Sequence, residues 1–244
     1  MRVTLFVPCY SDTLAPSAAI ATVTILERLG HEVVYPEEQT CCGQVHANSG
    51  YFPEGLRLAE RFVDVFVGAD LVIAPSASCV GTVRHLYPRL ARRAGEEELA
   101  ARAEELGRKV FELSEALTGP LGVVDVGSFF PHRVTYHPTC HSLRTLRVDD
   151  APLRLLEAVE GIELVPLPRA EECCGFGGTF AVKNADTSAA MLADKVAAVQ
   201  QTGAETCVAV DGSCLLQIGG GLARSGSGVL ALHLAEVLAG KRDS

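Results

Sequence analysis

Nine cysteines at repeating positions constrain this chain more than any other feature of its 244 residues. A shift of 131 to 135 positions carries the first four onto four later ones: Cys9, Cys41, Cys42 and Cys79 onto Cys140, Cys173, Cys174 and Cys214. The flanking segments repeat as well, because 26–43 (LERLGHEVVYPEEQTCCG) parallels 156–175 (LEAVEGIELVPLPRAEECCG), and 68–81 parallels 203–216. The sequence therefore predicts one cysteine-bearing module present twice.

Each predicted module alternates short apolar strands with helices. The predicted strands are Val3–Val7, Val33–Tyr35 and Leu71–Ala74 in the first module, and Val134–Tyr136, Glu163–Val165 and Cys207–Val210 in the second. The predicted helices are Ser17–Leu29, Pro53–Val67, Ala151–Val159 and Ala185–Gln201. This alternation is typical of parallel βαβ units with right-handed crossovers. We expect an α/β fold of two pseudo-symmetric modules, each a small parallel sheet flanked by helices.

Three further predictions concern the segments around these units. The modules should span 1–92 and 123–244, joined by a helical connector at 93–122. Apolar residues recur at helical spacing through Glu96–Thr118, which predicts a packing helix there. A glycine-rich turn at Gly219–Gly221 and a closing helix over Val229–Leu238 should end the chain.

The eight repeated cysteines all follow predicted strands. Sites in open parallel sheets form at the carboxyl ends of the strands, so cysteines far apart in sequence can meet there. We therefore expect two groups of four thiols, one group in each module.

Four thiolates can hold an iron–sulfur cluster, and one or two [4Fe–4S] clusters are the cofactors that we favour. Glycines at positions 43 and 175 follow the cysteine pairs and allow backbone amides to approach a cluster closely. Zinc is the alternative metal, although structural zinc sites usually use C-x₂₋₄-C pairs that this chain lacks. A thiol–disulfide enzyme is a third possibility, and it would usually show a C-x-x-C motif.

Composition excludes several other classes. The net charge is −9 and no stretch is rich in lysine or arginine, which speaks against nucleic-acid binding. The sequence shows no signal peptide and no apolar run long enough to cross a membrane, so we expect a cytoplasmic protein without a transmembrane segment. In that compartment the odd number of cysteines argues for metal or redox use rather than structural disulfides.

The twice-repeated C…CCG…C pattern resembles the cysteine-rich CCG-domain family, which includes the cysteine-rich subunit of heterodisulfide reductase. The segments YHPTCH (136–141), CCGFGG (173–178) and SCLLQIGGGL (213–222) are most similar to its lactate-utilisation and glycolate-oxidase members. The resemblance implies an iron–sulfur electron-transfer subunit of a multi-component dehydrogenase that oxidises L-lactate to pyruvate. The chain would then be a redox subunit rather than a stand-alone enzyme. Its partners would be the other subunits, including a ferredoxin-like iron–sulfur protein.

The chain departs from the fuller family pattern, which ends in C-x-x-C. Ser76 and Asp211 stand where the penultimate cysteines would be. With four cysteines in each module an ordinary cubane cluster is the simpler hypothesis, and heterodisulfide reduction is in doubt. Either Ser76 or Asp211 could be an oxygen ligand or cap a loop.

Several residues near the motifs have open roles. His46, His137 and His141 could be ligands, proton relays, hydrogen-bond partners of a ligand or plain surface residues. Cys207 has no counterpart in the first module and lies in an apolar strand, which predicts a buried core thiol.

Overall fold

Two four-stranded parallel sheets form the framework of the computed structural model, which describes residues 1–242. The strands of the first sheet, in the spatial order β2-β1-β3-β4, are β1 (Arg2–Leu5), β2 (Glu32–Val34), β3 (Val72–Ala74) and β4 (Val110–Glu112). Those of the second, in the order β6-β5-β7-β8, are β5 (Arg133–Tyr136), β6 (Glu163–Val165), β7 (Thr206–Ala209) and β8 (Leu230–His233). The equivalent strand order confirms the predicted α/β fold of two repeated modules.

Helices connect the strands of the first sheet. They are α1 (Cys9–Leu14), α2 (Pro16–Arg28), α3 (Gln44–Asn48), α4 (Phe52–Phe66), α5 (Ala77–Gly81), α6 (Tyr87–Ala94), α7 (Glu97–Gly107) and α8 (Leu113–Thr118). A π-helical turn at Thr82–Leu86 joins α5 to α6. Proline in the first turn of α2, α4 and α6 suits a helix start, because the missing amide there has no partner to lose.

The second half repeats this pattern with fewer helices. They are α9 (Ala151–Glu157), α10 (Phe180–Lys183), α11 (Ala185–Gln201), α12 (Gly212–Arg224) and α13 (Leu234–Ala239). A π-helical turn at Ser142–Leu146 precedes α9. Within residues 1–242 no helix is long and apolar enough to cross a membrane.

Three local predictions were wrong. Part of the expected packing helix is strand β4, which pairs with β3 and completes the first sheet. Part of the expected closing helix is strand β8, which pairs with β7 in the same way. The glycines at 219–221 lie inside α12 rather than in a turn, and a side chain at Gly221 would meet Val196 and Leu192 of α11.

One hydrophobic core runs through both halves. It contains Val3 and Ile25 from the first half and Val134, Leu155 and Leu238 from the second, all 0% exposed. The helices exchange partners across it, since α13 packs on α2 and α8 packs on α9. Each half therefore covers part of the other's apolar surface.

Arg28, at the end of α2, holds the α13 end of the second half. Its guanidinium donates to the carbonyl oxygens of Leu238 at 3.2 Å and Ala239 at 2.5 Å, and to that of Val126 at 3.1 Å. These carbonyls include the last ones of α13, which have no partner within the helix. A cation at a helix C-terminus also opposes the negative end of the helix dipole.

Replacing Arg28 should loosen this joint between the halves. We expect Arg28→Met to lower the free energy of unfolding by about 2 kcal/mol, because hydrogen bonds from a charged donor contribute about 1.5–3 kcal/mol each and some carbonyls can turn to water. Arg28→Lys should recover part of this loss, since a single ammonium cannot reach all the carbonyls at once. Urea unfolding measures all three proteins.

The matched control is Arg92, whose guanidinium pairs with Glu104 at 2.6 Å on the surface. Arg92→Met should cost less than about 1 kcal/mol, as exposed ion pairs usually do. Equal losses for the Arg28 and Arg92 variants would contradict the role given to Arg28.

Candidate metal centres

The four thiols of the first module meet at the carboxyl edge of the first sheet. Cys9 begins α1 just beyond β1, and Cys79 lies in the first turn of α5 just beyond β3. The Sγ atoms of Cys9 and Cys41 are 3.5 Å apart, and those of Cys42 and Cys79 are 3.4 Å apart. The predicted first quartet therefore comes together, and we call it site 1.

The second module gathers its four thiols in the same way, and we call them site 2. Cys140 follows β5, and Cys214 lies in the first turn of α12 after β7. Contacts with the thiols of Cys140 and Cys174 lower the pKa of Cys173, and contact with Cys173 raises the pKa of Cys140. Cys174 and Cys214 are buried, and their sulfurs lie within 4.8 Å of each other. Both predicted quartets are thus present.

Equivalent glycines bend the two Cys-Cys loops. Gly43 and Gly175 have φ values of +77° and +85°, which residues with a side chain rarely adopt. In this conformation each glycine amide donates to the sulfur two residues before it, at 3.4 Å to Cys41 and 3.4 Å to Cys173. A Cβ at Gly175 would also lie 2.6 Å from the carbonyl oxygen of Ser188. The turn therefore requires glycine and directs a donor toward the thiol.

Within each quartet, contacts among the sulfurs favour one cysteine as a thiolate while its neighbours keep their protons. In site 1, hydrogen bonds from the thiols of Cys42 and Cys9 lower the pKa of Cys41, and the Gly43 amide acts in the same direction. The pKa of Cys42 is raised by its contacts with Cys41 and Cys79 and by burial. A bound metal cation would displace the thiol protons that bridge neighbouring sulfurs, because cysteine binds metals as the thiolate.

A cavity of about 80 Å³ adjoins site 1, and residues of the second module line part of it. All four thiols of site 1 line it, together with Tyr10, Gln44 and the loop 176–179 from the second half. The ring of Phe176 packs edge-on against that of Tyr10, with centroids 5.6 Å apart. Site 1 therefore lies between the modules and is partly shielded from water.

His141 connects the two sites. One ring nitrogen lies 3.6 Å from the Sγ of Cys140, and the other is 3.0 Å from the side-chain amide of Gln44. That amide nitrogen also donates to the carbonyl of Ser78, next to Cys79. A chain of polar contacts thus runs from site 2 to the wall of site 1.

Ser76 and Asp211 contact each other across the two modules and do not belong to either cysteine quartet. The two residues form an isolated antiparallel bridge, and the Ser76 hydroxyl donates to Asp211 at 2.8 Å. Asp211, 1% exposed, also accepts from the Ser78 amide at 2.9 Å and from the Thr139 hydroxyl at 2.7 Å. Ser76 caps α5 by accepting from the amide of Cys79. Their carboxylate and hydroxyl oxygens are thereby occupied within the protein.

The remaining singled-out residues are buried to different degrees. Cys207 is fully buried in β7, as predicted, and burial raises its pKa to about 12. His46 is partly buried on α3 near Cys41. His137 is 1% exposed, and neither ring nitrogen has a hydrogen-bond partner in the part of the chain that the structure describes. Leaving such a group unpaired costs about 1–3 kcal/mol, so its place beside site 2 requires an explanation.

The environment of His137 keeps its ring neutral. Burial is the main reason that its pKa falls to about 4, and the Lys195 ammonium lowers it further. The thiolate of Cys173 and the carbonyl of Ala170 oppose this shift, although the carbonyl does not complete a hydrogen bond to the ring. One atom each from His137, Cys174 and Cys214 lies within 4.8 Å of the other two.

The all-sulfur donor sets fit a soft metal or an iron–sulfur cluster. Eight thiols are available in two groups, and a glycine amide points at a sulfur in each. Oxygen ligands suited to magnesium or calcium are not among the gathered groups, because Asp211 is fully hydrogen-bonded elsewhere.

Comparison with known proteins agrees with this geometry. A family model described as a cysteine-rich domain, CCG, matches residues 3–84 and again 134–219. The chain belongs to the CCG cysteine-rich domain family. The two matched segments contain all eight gathered cysteines and most of the first three strands of each sheet, whereas β4 and β8 lie outside them.

Relatives from the family match almost the whole chain. "Lactate utilization protein A" of Geobacillus kaustophilus is 45% identical over 238 residues, covering 98% of each protein. The protein of the same name from Exiguobacterium sp. is 46% identical over 239 residues, covering 97% of this chain and 96% of the relative. Among solved structures, a putative Asp/Glu racemase from Yersinia pestis aligns over 98% of this chain and 96% of its own length. Its sequence identity is 11% and its TM-score 0.37.

Sequence reasoning did not single out a buried carboxyl group near Asp211, that of Glu112. Glu112 ends β4, is 0% exposed, and accepts hydrogen bonds from the amide and hydroxyl of Ser114. Its Oε1 atom has no hydrogen-bond partner among the described residues. Burial raises the pKa of Glu112 to about 8, and the nearby Asp211 acts in the same direction.

Glu112 should make the protein less stable as the pH rises from about 4.5 to about 8. In that range the folded chain keeps a proton that the unfolded chain has lost, so the free energy of unfolding falls by about 1.4 kcal/mol per pH unit. Glu112→Gln removes this contribution. Between pH 5.5 and 7.5 the wild type should therefore lose about 2.7 kcal/mol relative to the variant.

Urea unfolding of both proteins at several pH values measures this difference. The comparison cancels the histidines and cysteines, which the two proteins share. Parallel pH profiles for wild type and variant would show that Glu112 is not protonated in the folded state.

Proposed function

We propose that the protein is an iron–sulfur electron-transfer subunit that takes part in lactate utilisation, with sites 1 and 2 each holding a [4Fe–4S] cluster. The observation that carries the proposal is the convergence of eight cysteines into two quartets at equivalent sheet edges. Bound clusters would supply one-electron storage. The relatives named for lactate utilisation support the substrate pathway, in which the chain would carry electrons that the oxidation of L-lactate to pyruvate releases.

The chain's own residues give the sites features that electron transfer needs. Gly43 and Gly175 amides donate to a thiolate, and such donors stabilise negative charge at a cluster. The short α5 and the longer α12 begin just before Cys79 and Cys214, so each of these ligands lies in the first turn of a helix. Tyr10 and Phe176 limit the access of water to site 1.

Contact between the sites supports their working in series. Gln44 lines the cavity of site 1 and contacts His141, which contacts Cys140 of site 2. Short, packed routes between redox groups allow an electron to enter at one site and leave from the other. The proposed partners are the other subunits of a lactate-oxidising complex, including a ferredoxin-like iron–sulfur protein, in the cytoplasm.

A zinc-stabilised interaction subunit is the second candidate. The observation that favours it is the short sulfur separation of 3.4 to 3.5 Å in site 1. Thiolates that share one tetrahedral zinc at bonds of about 2.3 Å lie about 3.8 Å apart, close to these values. A cluster would require the four sulfurs to spread outward around it.

Single cysteine variants test the cluster proposal. Anaerobic iron and sulfide reconstitution should give a brown protein with about eight irons per chain, four for each [4Fe–4S] cluster. Cys41→Ser should retain about four, because it removes a ligand from site 1 only. Metal analysis and electron paramagnetic resonance of the reduced protein measure the result.

Cys207→Ser is the matched control, since Cys207 is a buried thiol outside both quartets. It should keep the full iron content. Stoichiometric zinc without a redox response would favour the second candidate. Loss of iron in Cys207→Ser, or unchanged iron in Cys41→Ser, would overturn the assignment of ligands.

A further inference from the structure

Sites 1 and 2 differ at one equivalent position beside the thiols. Phe6 follows β1 and donates its amide to the carbonyl of Ile73 in β3, at 2.9 Å. His137 follows β5 and donates its amide to the carbonyl of Val208 in β7, at 2.8 Å. The shared register makes His137 the counterpart of Phe6. A hydrocarbon ring in one repeat is therefore an imidazole in the other.

The partner of this ring changes as well. Phe6 packs edge-on against Phe62 of α4, with ring centroids 4.8 Å apart. A Cβ placed on the glycine after each cysteine pair would meet equivalent positions of a later helix. These positions are Gly55 and Leu58 in α4 and Ser188 and Met191 in α11, so they differ by 133. The same offset places Lys195 where the first repeat has Phe62.

Lys195 is buried although it carries an ammonium group. It is 1% exposed, and its Nζ atom donates to the carbonyls of Arg169 at 3.0 Å and Ala170 at 3.3 Å, just before Cys173. An aromatic pair in the first module is thus replaced by two buried polar residues in the second. Hydrophobic packing does not explain this exchange, because burying polar groups is unfavourable unless they have partners.

The thiols of site 2 give the imidazole of His137 a metal to bind. Among residues 1–242 both of its ring nitrogens lack a hydrogen-bond partner, and it is 1% exposed. The thiols of Cys174 and Cys214 lie with it in one group whose ligand atoms are all within 4.8 Å of one another. Neutral imidazole and thiolate are both good ligands for iron and for zinc.

We propose that His137 is a nitrogen ligand of site 2, binding metal on the edge formed by Cys174 and Cys214. Site 2 then has mixed sulfur and nitrogen ligation, whereas site 1 has sulfur alone because Phe6 offers no donor. The inference rests on the proposed function only in taking the metal to be iron. The geometry that carries it applies to any metal that thiolates bind.

Pulsed electron paramagnetic resonance tests this ligand in iron-loaded protein. A Cys41→Ser chain, which isolates site 2, is labelled with ¹⁵N-histidine, reconstituted anaerobically with iron and sulfide, and reduced. We expect a strong nitrogen hyperfine coupling that changes with the isotope. His137→Phe, which installs the residue of the first repeat, should abolish the coupling.

Two histidines provide matched controls. His132 is exposed and pairs with Glu205, and His141 lies beside Cys140 but outside the proposed ligand group. His132→Gln and His141→Gln should both keep the coupling. Iron uptake without any histidine coupling, or a coupling that disappears in His141→Gln instead, would overturn the proposal.

Cobalt(II) gives a second measurement that needs no cluster. Co²⁺ added to the same Cys41→Ser chain should produce a paramagnetically shifted, solvent-exchangeable imidazole N–H proton resonance, and His137→Phe should lack it. A chain that takes up no iron but shows this resonance would refute the proposed function and keep the ligand. Iron uptake with neither the coupling nor the resonance would refute the ligand and keep the function.

Discussion

The carboxyl ends of parallel strands meet at one edge of a sheet, and both thiol groups depend on that geometry. Cys9 and Cys79 are separated by 69 intervening residues, yet β1 and β3 are hydrogen-bonded neighbours, so the turns that follow them are adjacent. The Cys-Cys loop after β2 supplies the remaining two sulfurs from the other side of β1. The same arrangement after β5, β6 and β7 builds the second group.

The two modules act as one unit because each completes the other. Each half has an apolar cluster of its own, but the core that runs through both halves and the helices that pack across it join them. Asp211 satisfies two donors of the first module and one of the second, which fixes the turn that carries Cys79 against the turn that precedes Cys214. The loop 176–179 then covers the cavity of site 1. Relative placement of the two sites is therefore set by buried hydrogen bonds rather than by a linker.

The cysteine spacing predicted the repeat, and the alternation of strands with helices predicted the parallel sheets and the gathering of the thiols at their carboxyl edges. Neither could reveal β4 and β8, because Val110 and Leu113 fit a helical stripe as well as a strand followed by a helix. Three-residue strands have no alternation long enough to distinguish the two. The glycines of α12 indicated a turn, whereas close packing against α11 is what requires Gly221. In each of these segments, contacts with residues distant in sequence determine the secondary structure.

The motifs left several roles open for His137, a ligand among them, although the repeat contained a further signal. When the two repeats are aligned, Phe6 corresponds to His137 and Phe62 to Lys195. An aromatic pair in the first repeat is therefore a polar pair in the second. The Lys195 ammonium, buried close to site 2, would favour the reduced state of a cluster bound there. Site 2 would then have the higher reduction potential, and electrons would run from site 1 toward it. Duplication of one module thereby yields two thiol sites with unlike surroundings.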